Sequence, residues 1–213
     1  MAETRRVAAF DFDGTLVPGD SLIPFVWRTA GRRRFLLASL RHGVRIVAAS
    51  AFGIGSRDAA KERFVRSTLR GLPLATARKA GEAYAAELER KVDAASLARL
   101  HWHNDEGHEL VLISASLEIY LEPLGERLGF DTVLATRLMV GDDERLTGDL
   151  DGPNVRAHEK VVRLRRWLGG AACELWAYGD SAGDRELLAL ADHGFRVPRR
   201  GGFAGLGLGL DRT

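Results

Sequence analysis

Two aspartates one residue apart, Asp11 and Asp13, directly follow an apolar run in this chain and precede a glycine and a threonine. An apolar run ahead of a glycine turn is typical of a buried strand that carries polar residues at its carboxyl end. In open α/β sheets, ligands bind at that end of the strands. Two carboxylates about 5 Å apart repel by roughly 3 kcal/mol at an effective dielectric constant near 20. Unless the two aspartates form a solvated acidic turn, they therefore require a metal ion, a shared proton or a cationic partner.

Other residues with useful chemistry occupy similar places along the chain. Ser114, Asp180 and Asp184 each come after an apolar run, and Lys160 lies near the start of a predicted helix between them. Carboxylate oxygens are the hard ligands that Mg²⁺ prefers. A carboxylate can also attack phosphorus, and a second carboxylic acid can protonate the leaving alcohol. A hydroxyl and an ammonium group can hold phosphate oxygens, so the set favours phosphoryl transfer assisted by a divalent cation.

The elements that would position these residues alternate between strand and helix. Apolar, β-rich runs predict strands over 7–10, 110–113, 130–135, 175–178 and 195–197. Helical patterns cover 117–128, 157–168 and 185–191, and the turn-rich segment 138–150 favours a β-hairpin. Alternating strands and helices call for a parallel sheet with helices on both faces.

The segment 17–106 has helical patterning instead, with helices predicted over 21–30, 32–51, 57–69, 73–89 and 93–106. We interpret it as an inserted helical cap domain, with 1–16 and 107–213 forming the α/β core domain. The second of these helices joins a basic flank to an apolar stretch. Arg41, His42 and Arg45 interrupt that stretch, which excludes a membrane span of about 20 apolar residues. A packed cap helix and an amphipathic helix in transient contact with a membrane surface both remain open.

Composition limits the other classes of function. The net charge of +2 among 31 basic and 29 acidic residues gives no reason to expect a nucleic-acid partner. The single cysteine excludes an intrachain disulfide. The first strand begins within a few residues of Met1 without an apolar signal region, which predicts a cytoplasmic location.

Four motifs in order resemble those of the haloacid dehalogenase (HAD)-like hydrolase superfamily. They are Asp11-Phe-Asp-Gly-Thr15, Ile113-Ser114, Lys160 and Gly179-Asp-Ser-Ala-Gly-Asp184. The helical insertion after the first motif resembles the C1 cap of subfamily IB, the phosphoserine phosphatase-like branch. The resemblance covers about residues 7–197. It implies a Rossmann-like doubly wound parallel sheet with an all-helical C1 cap, and a Mg²⁺-dependent phosphatase (phosphoric monoester hydrolase) that forms an aspartyl-phosphate intermediate.

The resemblance also implies catalytic and metal-binding roles for the matching positions. Asp11 would be the nucleophile and a Mg²⁺ ligand, and Asp13 would be the acid/base with its backbone carbonyl on the metal. Asp180 would be the third protein ligand, and Asp184 would order metal-bound waters. Gly183 departs from the pattern, because relatives often have Asn before the final aspartate. This departure bears on a secondary hydrogen bond and leaves the metal ligands in place.

The phosphate-binding positions follow in the same way. Ser114, Ala115 and Lys160 would hold the phosphoryl group, and Gly14 and Thr15 would shape the turn around it. The substrate stays open between phosphoserine, a lipid phosphate and another small metabolite phosphate. Two alternatives to a phosphatase also stay open: a phospho-acceptor similar to phosphorelay receiver domains, and a catalytically silent HAD-fold binding protein.

Three histidines form a separate feature. His101, His103 and His108, with Asp105, could suggest a transition-metal site. Their spacing does not place three ligands on one helix face. We therefore expect these side chains to be solvated at a helix end.

Overall fold

The strands of the described residues form one five-stranded parallel sheet and one antiparallel hairpin. The computed structural model describes residues 4–31, 35–37 and 57–206. The strands are β1 (Arg5–Phe10), β2 (Glu109–Leu117), β3 (Thr132–Thr136), β4 (Leu138–Val140), β5 (Leu146–Leu150), β6 (Cys173–Gly179) and β7 (His193–Arg196). The sheet has the order β3-β2-β1-β6-β7, and β4 pairs with β5 in the hairpin. The predicted parallel sheet and the predicted hairpin are both confirmed.

The described helices fall into two groups along the chain. Those between β1 and β2 are α1 (Leu22–Ala30), α2 (Arg57–Leu69), α3 (Leu74–Glu89) and α4 (Ala94–Asp105). Those that follow β2 are α5 (Glu118–Leu128), α6 (His158–Leu168) and α7 (Arg185–Leu190), with short 3₁₀ turns at Ala182–Asp184 and Gly202–Leu206. Most of the predicted helix over 32–51 lies outside the described residues. Within the described ranges, no helix has the length and apolar character needed to cross a bilayer.

Alternation along the central strand explains the layered core. Ala8 and Phe10 belong to one buried cluster, which also contains residues of α4 and α5, whereas Val7 and Ala9 belong to a second cluster with residues of α6 and α7. Successive side chains of a strand point to opposite faces, so a strand that is apolar throughout must be covered on both. The fold is therefore a doubly wound, Rossmann-like α/β sheet, as the sequence predicts.

The helices between β1 and β2 pack on different parts of the molecule. Helix α3 packs along α5, α2 packs against β5, and α4 packs against β2 and the Gly202–Leu206 turn. The α3–α5 contact is close, since a Cβ atom on Gly81 would lie 2.1 Å from the carbonyl oxygen of Ile119. Helix α4 contacts the sheet directly, because it packs against β2.

Two local predictions are wrong in detail. Strand β2 continues to Leu117, so Ser114 and Ser116 lie within the strand rather than after it. The pairing of β2 with β3 shifts between Ser114 and Leu117, which bends the strand end. The expected solvation holds for exposed His101 and is wrong for His103 and His108, which are buried. His103 lies on the face of α4 that meets aromatic rings of β1 and β6.

Candidate active site

The carboxyl ends of β1 and β6 bring two of the predicted acidic residues together. These strands are neighbours in register, with Phe10 opposite Tyr178. The amide of Asp11 extends that pairing by donating to the carbonyl of Tyr178 at 2.9 Å. Asp11 therefore leaves β1 beside Asp180, which follows the end of β6. Both aspartates are buried.

Lys160 on α6 supplies the positive charge for this cluster. Its ammonium nitrogen lies 2.7 Å from Oδ1 of Asp11 and 2.6 Å from Oδ1 of Asp184. The lysine is only 2% exposed, and Asp184 is only 1% exposed. A buried charge is stable only when it is paired and hydrogen-bonded, and here one cation bridges two anions.

Burial and the neighbouring charges together shift the pKa values of Asp11, Asp184 and Lys160. Burial raises the pKa of Asp11 to about 6, although the nearby Lys160 opposes that rise. Burial also works against ionisation of Asp184, but the charge and hydrogen bonds of Lys160 and Ser181 bring its pKa below the usual value. For Lys160, burial alone would lower the pKa, and the two carboxylates raise it above the usual value. Lys160 is therefore charged throughout the physiological range.

The loop after β6 is built to orient Asp184. The Ser181 side chain accepts a hydrogen bond from the amide of Gly183, and Asp184 accepts from both the amide and the hydroxyl of Ser181. The carbonyl of Gly183 accepts from the amide of Ala157, which ties this loop to the start of α6. A Cβ atom on Gly183 would lie 3.3 Å from the side chain of Arg156. The Ser181 hydroxyl oxygen would lie at the same distance and is held by the Gly183 amide, so the loop leaves little room for a larger residue.

The turn after Asp13 brings the backbone close to Asp180. Gly14 has a φ of 83°, which favours glycine. A Cβ atom at Gly14 would lie 2.5–2.9 Å from the carboxylate atoms of Asp180. The amide of Gly14 donates to the carbonyl of Val17, and the Thr15 hydroxyl lies 3.5 Å from Oδ2 of Asp11. Gly14 thus leaves the space that the Asp180 carboxylate occupies.

The acidic residues fit a hard divalent cation. Asp11, Asp180 and Asp184 each offer one carboxylate oxygen, and these atoms lie within 4.8 Å of one another. All three residues are buried, and oxygen is the ligand type that Mg²⁺ prefers. Three buried carboxylates paired with only two cations, Lys160 and Arg199, have an excess of negative charge. The donor set therefore fits Mg²⁺ in chemistry and in charge.

Asp13 has hydrogen-bond partners of its own. Its Oδ1 accepts from the amide of Ser21 at 2.8 Å, and its Oδ2 accepts from the hydroxyl of Ser116. Burial raises the pKa of Asp13 to about 7, while the hydrogen bonds from Ser116 and Ser21 oppose this rise. A carboxyl group with a pKa near neutrality is suited to both donating and accepting a proton.

The two remaining predicted positions, Ser114 and Ala115, lie in β2, which pairs with β1. Ser114 is buried, and its hydroxyl oxygen accepts from the amide of Ser116 at 3.1 Å. Ala115 lies between them on β2 and is partly buried.

Two further contacts to the predicted residues are not among those that the motifs indicate. The Ser116 hydroxyl donates to Oδ2 of Asp13. Its position two residues after Ser114, on the same side of a strand, was the available signal. Exposed Arg199 lies 3.3 Å from Asp180 through its Nε atom. Nothing in the sequence near Arg199 indicates this contact, which depends on how the chain returns after β7.

Comparison with known proteins defines the class to which this fold and site belong. A model of the haloacid dehalogenase-like hydrolase family matches residues 8–189. The chain therefore belongs to that family. This is the family that the four motifs predict.

One relative resembles most of the chain, and another resembles less than half of it. The chain is 39% identical over 205 residues to the protein CicA of Caulobacter vibrioides, covering 93% of this chain and 89% of CicA. A histidinol-phosphatase of Neisseria meningitidis is 32% identical over 94 residues, or 41% of this chain and 42% of that protein.

Solved structures share the fold. A protein of unknown function from Bordetella pertussis has a TM-score of 0.69 at 24% identity, with 92% of this chain and 90% of that chain covered. A substrate-bound phosphoserine phosphatase has a TM-score of 0.64 at 24% identity, with 92% and 86% covered. At these identities the likeness is one of fold.

Proposed function

We propose that this protein is a Mg²⁺-dependent phosphatase that hydrolyses a small phosphomonoester through an aspartyl-phosphate intermediate. The observation that carries the proposal is the buried cluster in which Lys160 bridges Asp11 and Asp184 beside Asp180. Such a cluster gathers one cation and a cation site around a carboxylate that can act as a nucleophile. Membership of a hydrolase family supports the same conclusion.

The first step transfers the phosphoryl group to the protein. A carboxylate oxygen of Asp11 forms a bond to phosphorus, and the bond from phosphorus to the ester oxygen breaks. Asp13 gives its proton to that leaving oxygen, so the product is a neutral alcohol. The pKa of about 7 that burial gives Asp13 suits this role near neutral pH.

The second step regenerates the enzyme. Asp13, now a carboxylate, takes a proton from a water molecule whose oxygen attacks phosphorus. The bond between phosphorus and Asp11 breaks, which releases inorganic phosphate and restores the carboxylate. Positioning and charge neutralisation contribute most of the catalysis in such transfers.

The rest of the site would bind and orient the phosphoryl group. We assign Ser114, Ala115 and Lys160 to its oxygens, with Gly14 and Thr15 in the turn around them. Asp11, the backbone carbonyl of Asp13 and Asp180 would hold Mg²⁺, and Asp184 would order the waters around it. When bound, Mg²⁺ would supply positive charge that neutralises the phosphoryl oxygens.

The substrate class is a small phosphate ester of an alcohol. Phosphoserine, a lipid phosphate and another metabolite phosphate are the three candidates, and the partial likeness to a histidinol-phosphatase is consistent with the last. We infer that the segment 17–106 acts as a cap that sets this choice and excludes water. A cytoplasmic location remains our prediction.

A screen of the purified protein against phosphate esters tests the proposal. Serine phosphate, glycerol phosphate, a short-chain lipid phosphate, histidinol phosphate and p-nitrophenyl phosphate would be compared with Mg²⁺ and with a chelator. We expect many turnovers of at least one ester, loss of activity in chelator and recovery when Mg²⁺ is added back. A single phosphorylation that persists without turnover would instead indicate a receiver-like phospho-acceptor. If the screen detected no turnover and no phosphorylation of the protein, the result would indicate a catalytically silent binding protein.

A further inference from the structure

A chain of three hydroxyl groups leads from Asp13 into the helical insertion. The Ser116 hydroxyl donates to Oδ2 of Asp13. The hydroxyl oxygen of Ser116 also lies 3.1 Å from the hydroxyl oxygen of Ser21. The Ser21 oxygen in turn lies 2.9 Å from the phenolic oxygen of Tyr120. All three hydroxyl groups belong to buried residues.

The number of protons fixes the direction of this chain. Each hydroxyl has one proton to donate. If Ser116 donates its proton to Asp13, its oxygen must accept from Ser21. Ser21 has then used its own proton, so its oxygen must accept from Tyr120. Burial raises the pKa of Tyr120 well above its usual value, which keeps that phenol protonated as the first donor.

Ser21 also connects the chain to the inserted helices. It immediately precedes α1, and its amide donates to Oδ1 of Asp13. Its carbonyl accepts from the hydroxyl of Tyr84 on α3 at 3.0 Å. Ser21 therefore touches the candidate acid/base, β2, α3 and α5 at one point. Both oxygens of the Asp13 carboxylate are held, one by Ser21 and the other by Ser116.

We propose that Ser116, supported by Ser21 and Tyr120, is a positioning residue that orients the Asp13 carboxylate toward the leaving oxygen of the substrate. This inference rests on the proposed function for the role of Asp13, and on hydrogen-bond geometry for the orientation. Without the Ser116 hydroxyl, Oδ2 of Asp13 loses the one side-chain donor that the described residues give it. The carboxylate then keeps only the hydrogen bond from the Ser21 amide to Oδ1, and one contact restrains its rotation about the Cβ–Cγ bond less than two do.

A pair of crystal structures tests the orientation without any activity assay. Wild-type protein and Ser116→Ala would be crystallised with Mg²⁺ and a phosphate analogue such as vanadate. We expect Asp13 to keep one orientation in the wild type and to rotate or adopt two conformers in the variant. An unchanged, single Asp13 conformer in Ser116→Ala would overturn the proposal, whether or not the protein proves to be a phosphatase.

Leaving-group dependence tests the consequence for catalysis. A nitrophenolate needs little protonation to leave, whereas an alkoxide needs a proton from Asp13. In Ser116→Ala we expect kcat/KM to fall about 10- to 100-fold for an alkyl phosphate and by less than about threefold for p-nitrophenyl phosphate. Tyr120→Phe, which removes only the first donor of the chain, should show the same selectivity with a smaller loss.

A matched control separates positioning from general damage. Ser96 is buried in α4, and its hydroxyl makes no hydrogen bond within the part of the chain that the structure describes. Ser96→Ala should leave both kcat/KM values unchanged. Equal losses on the two esters in both Ser116→Ala and Tyr120→Phe would overturn the positioning role. An inactive wild type would refute the proposed function instead, and the crystal structures would still decide the orientation.

Discussion

The candidate active-site cluster and the cluster around His103 are both buried and polar, but they are stabilised in different ways. In the first, Lys160 on α6 pairs with Asp11 and Asp184 on one side of the sheet. In the second, Nδ1 of His103 on α4 lies 2.7 Å from Nδ1 of His108, and its Nε2 lies 2.9 Å from the hydroxyl of Tyr178. The helices α4 and α6 cover opposite faces of the sheet.

The two clusters differ in charge. Burial lowers the pKa of His103 to about 3, and the neighbouring His108 and Arg99 add to that effect. Burial also lowers the pKa of His108. These imidazoles therefore stay neutral near pH 7, whereas Lys160 stays charged. Buried ionisable groups without a counter-ion become neutral, and such groups stabilise the fold through hydrogen bonds and packing. A site for phosphate chemistry must instead keep its groups charged, and therefore paired.

The largest expected effect is the loss of turnover in Asp11→Asn. An amide cannot supply the nucleophilic carboxylate oxygen, so kcat should fall by about four orders of magnitude or more. The fold should be retained, which circular dichroism and the thermal midpoint would check. Near-normal turnover by cleanly purified Asp11→Asn would contradict the assignment of Asp11 as the nucleophile. The Lys160 cluster would then have no demonstrated catalytic role to set against the structural role of the His103 cluster.

Removal of the bridging cation should have the largest effect on stability. Lys160→Met leaves the carboxylates of Asp11 and Asp184 buried without their partner, which should cost about 3–5 kcal/mol of unfolding free energy at pH 7. The loss should shrink as the pH falls, because the unpaired carboxylates can then be protonated. Urea denaturation at pH 7 and pH 5 measures both values.

Exposed Lys91 provides the control for that measurement. Lys91→Met removes the same charge from the surface and should change the unfolding free energy by less than about 0.5 kcal/mol. If the two variants were equally stable, the lysine bridge would not be what holds the acidic cluster together.

Two glycines with the same backbone conformation test the space beside Asp180. Gly14 and Gly19 have φ values of 83° and 86°, so alanine is strained at both by about 1–2 kcal/mol. At Gly14 the new Cβ also meets the Asp180 carboxylate, whereas at Gly19 it meets no described heavy atom within 4 Å. Gly14→Ala should therefore weaken Mg²⁺ binding measured by calorimetry, and Gly19→Ala should not. Equal Mg²⁺ affinities would show that Asp180 does not need this space to bind metal.

At pH 7 the smallest expected effect concerns the neutral cluster, because its contribution develops only as the pH falls. An unfolded histidine takes up a proton below about pH 6.5. Folded His103, with its pKa near 3, does not, so the unfolded state binds more protons and stability falls as the pH drops from about 6.5 towards 3. His103→Gln removes this contribution and should make the slope of unfolding free energy shallower by about 1.4 kcal/mol per pH unit in that range.

The exposed His101 on the same helix is the matched control. His101→Gln should leave the slope as it is in the wild type. A slope unchanged in His103→Gln as well would mean that the buried imidazole accepts a proton in the folded state. The distinction between a neutral cluster and a charged one would then fail.

The sequence predicted the sheet and the acidic cluster because both follow local rules. Apolar runs ending in Asp11 and Asp180 define strands, and parallel strands bring their carboxyl ends to one edge. Lys160 could be placed near them by its motif, although its contacts with Asp11 and Asp184 depend on the tertiary packing of α6.

Other features could not be read from local patterns. The burial of His103 depends on Tyr178 and the aromatic rings around it, which come from distant parts of the chain. Ser116 also contacts Asp13 from more than a hundred residues away, across a bend in β2. A polar residue near a predicted helix end looks solvated in sequence, and only the packing of that helix decides whether it is.

Trapping the phosphorylated protein tests the central claim most directly. The protein would be mixed with Mg²⁺ and an ester that it hydrolyses, and the reaction would be quenched in acid within milliseconds. The quenched protein would then be digested, and its peptides sequenced by mass spectrometry. The account predicts one phosphoryl group on Asp11, absent from Asp11→Asn and from samples without Mg²⁺. Turnover with no phosphorylated peptide, or with the phosphoryl group on a residue other than Asp11, would contradict it.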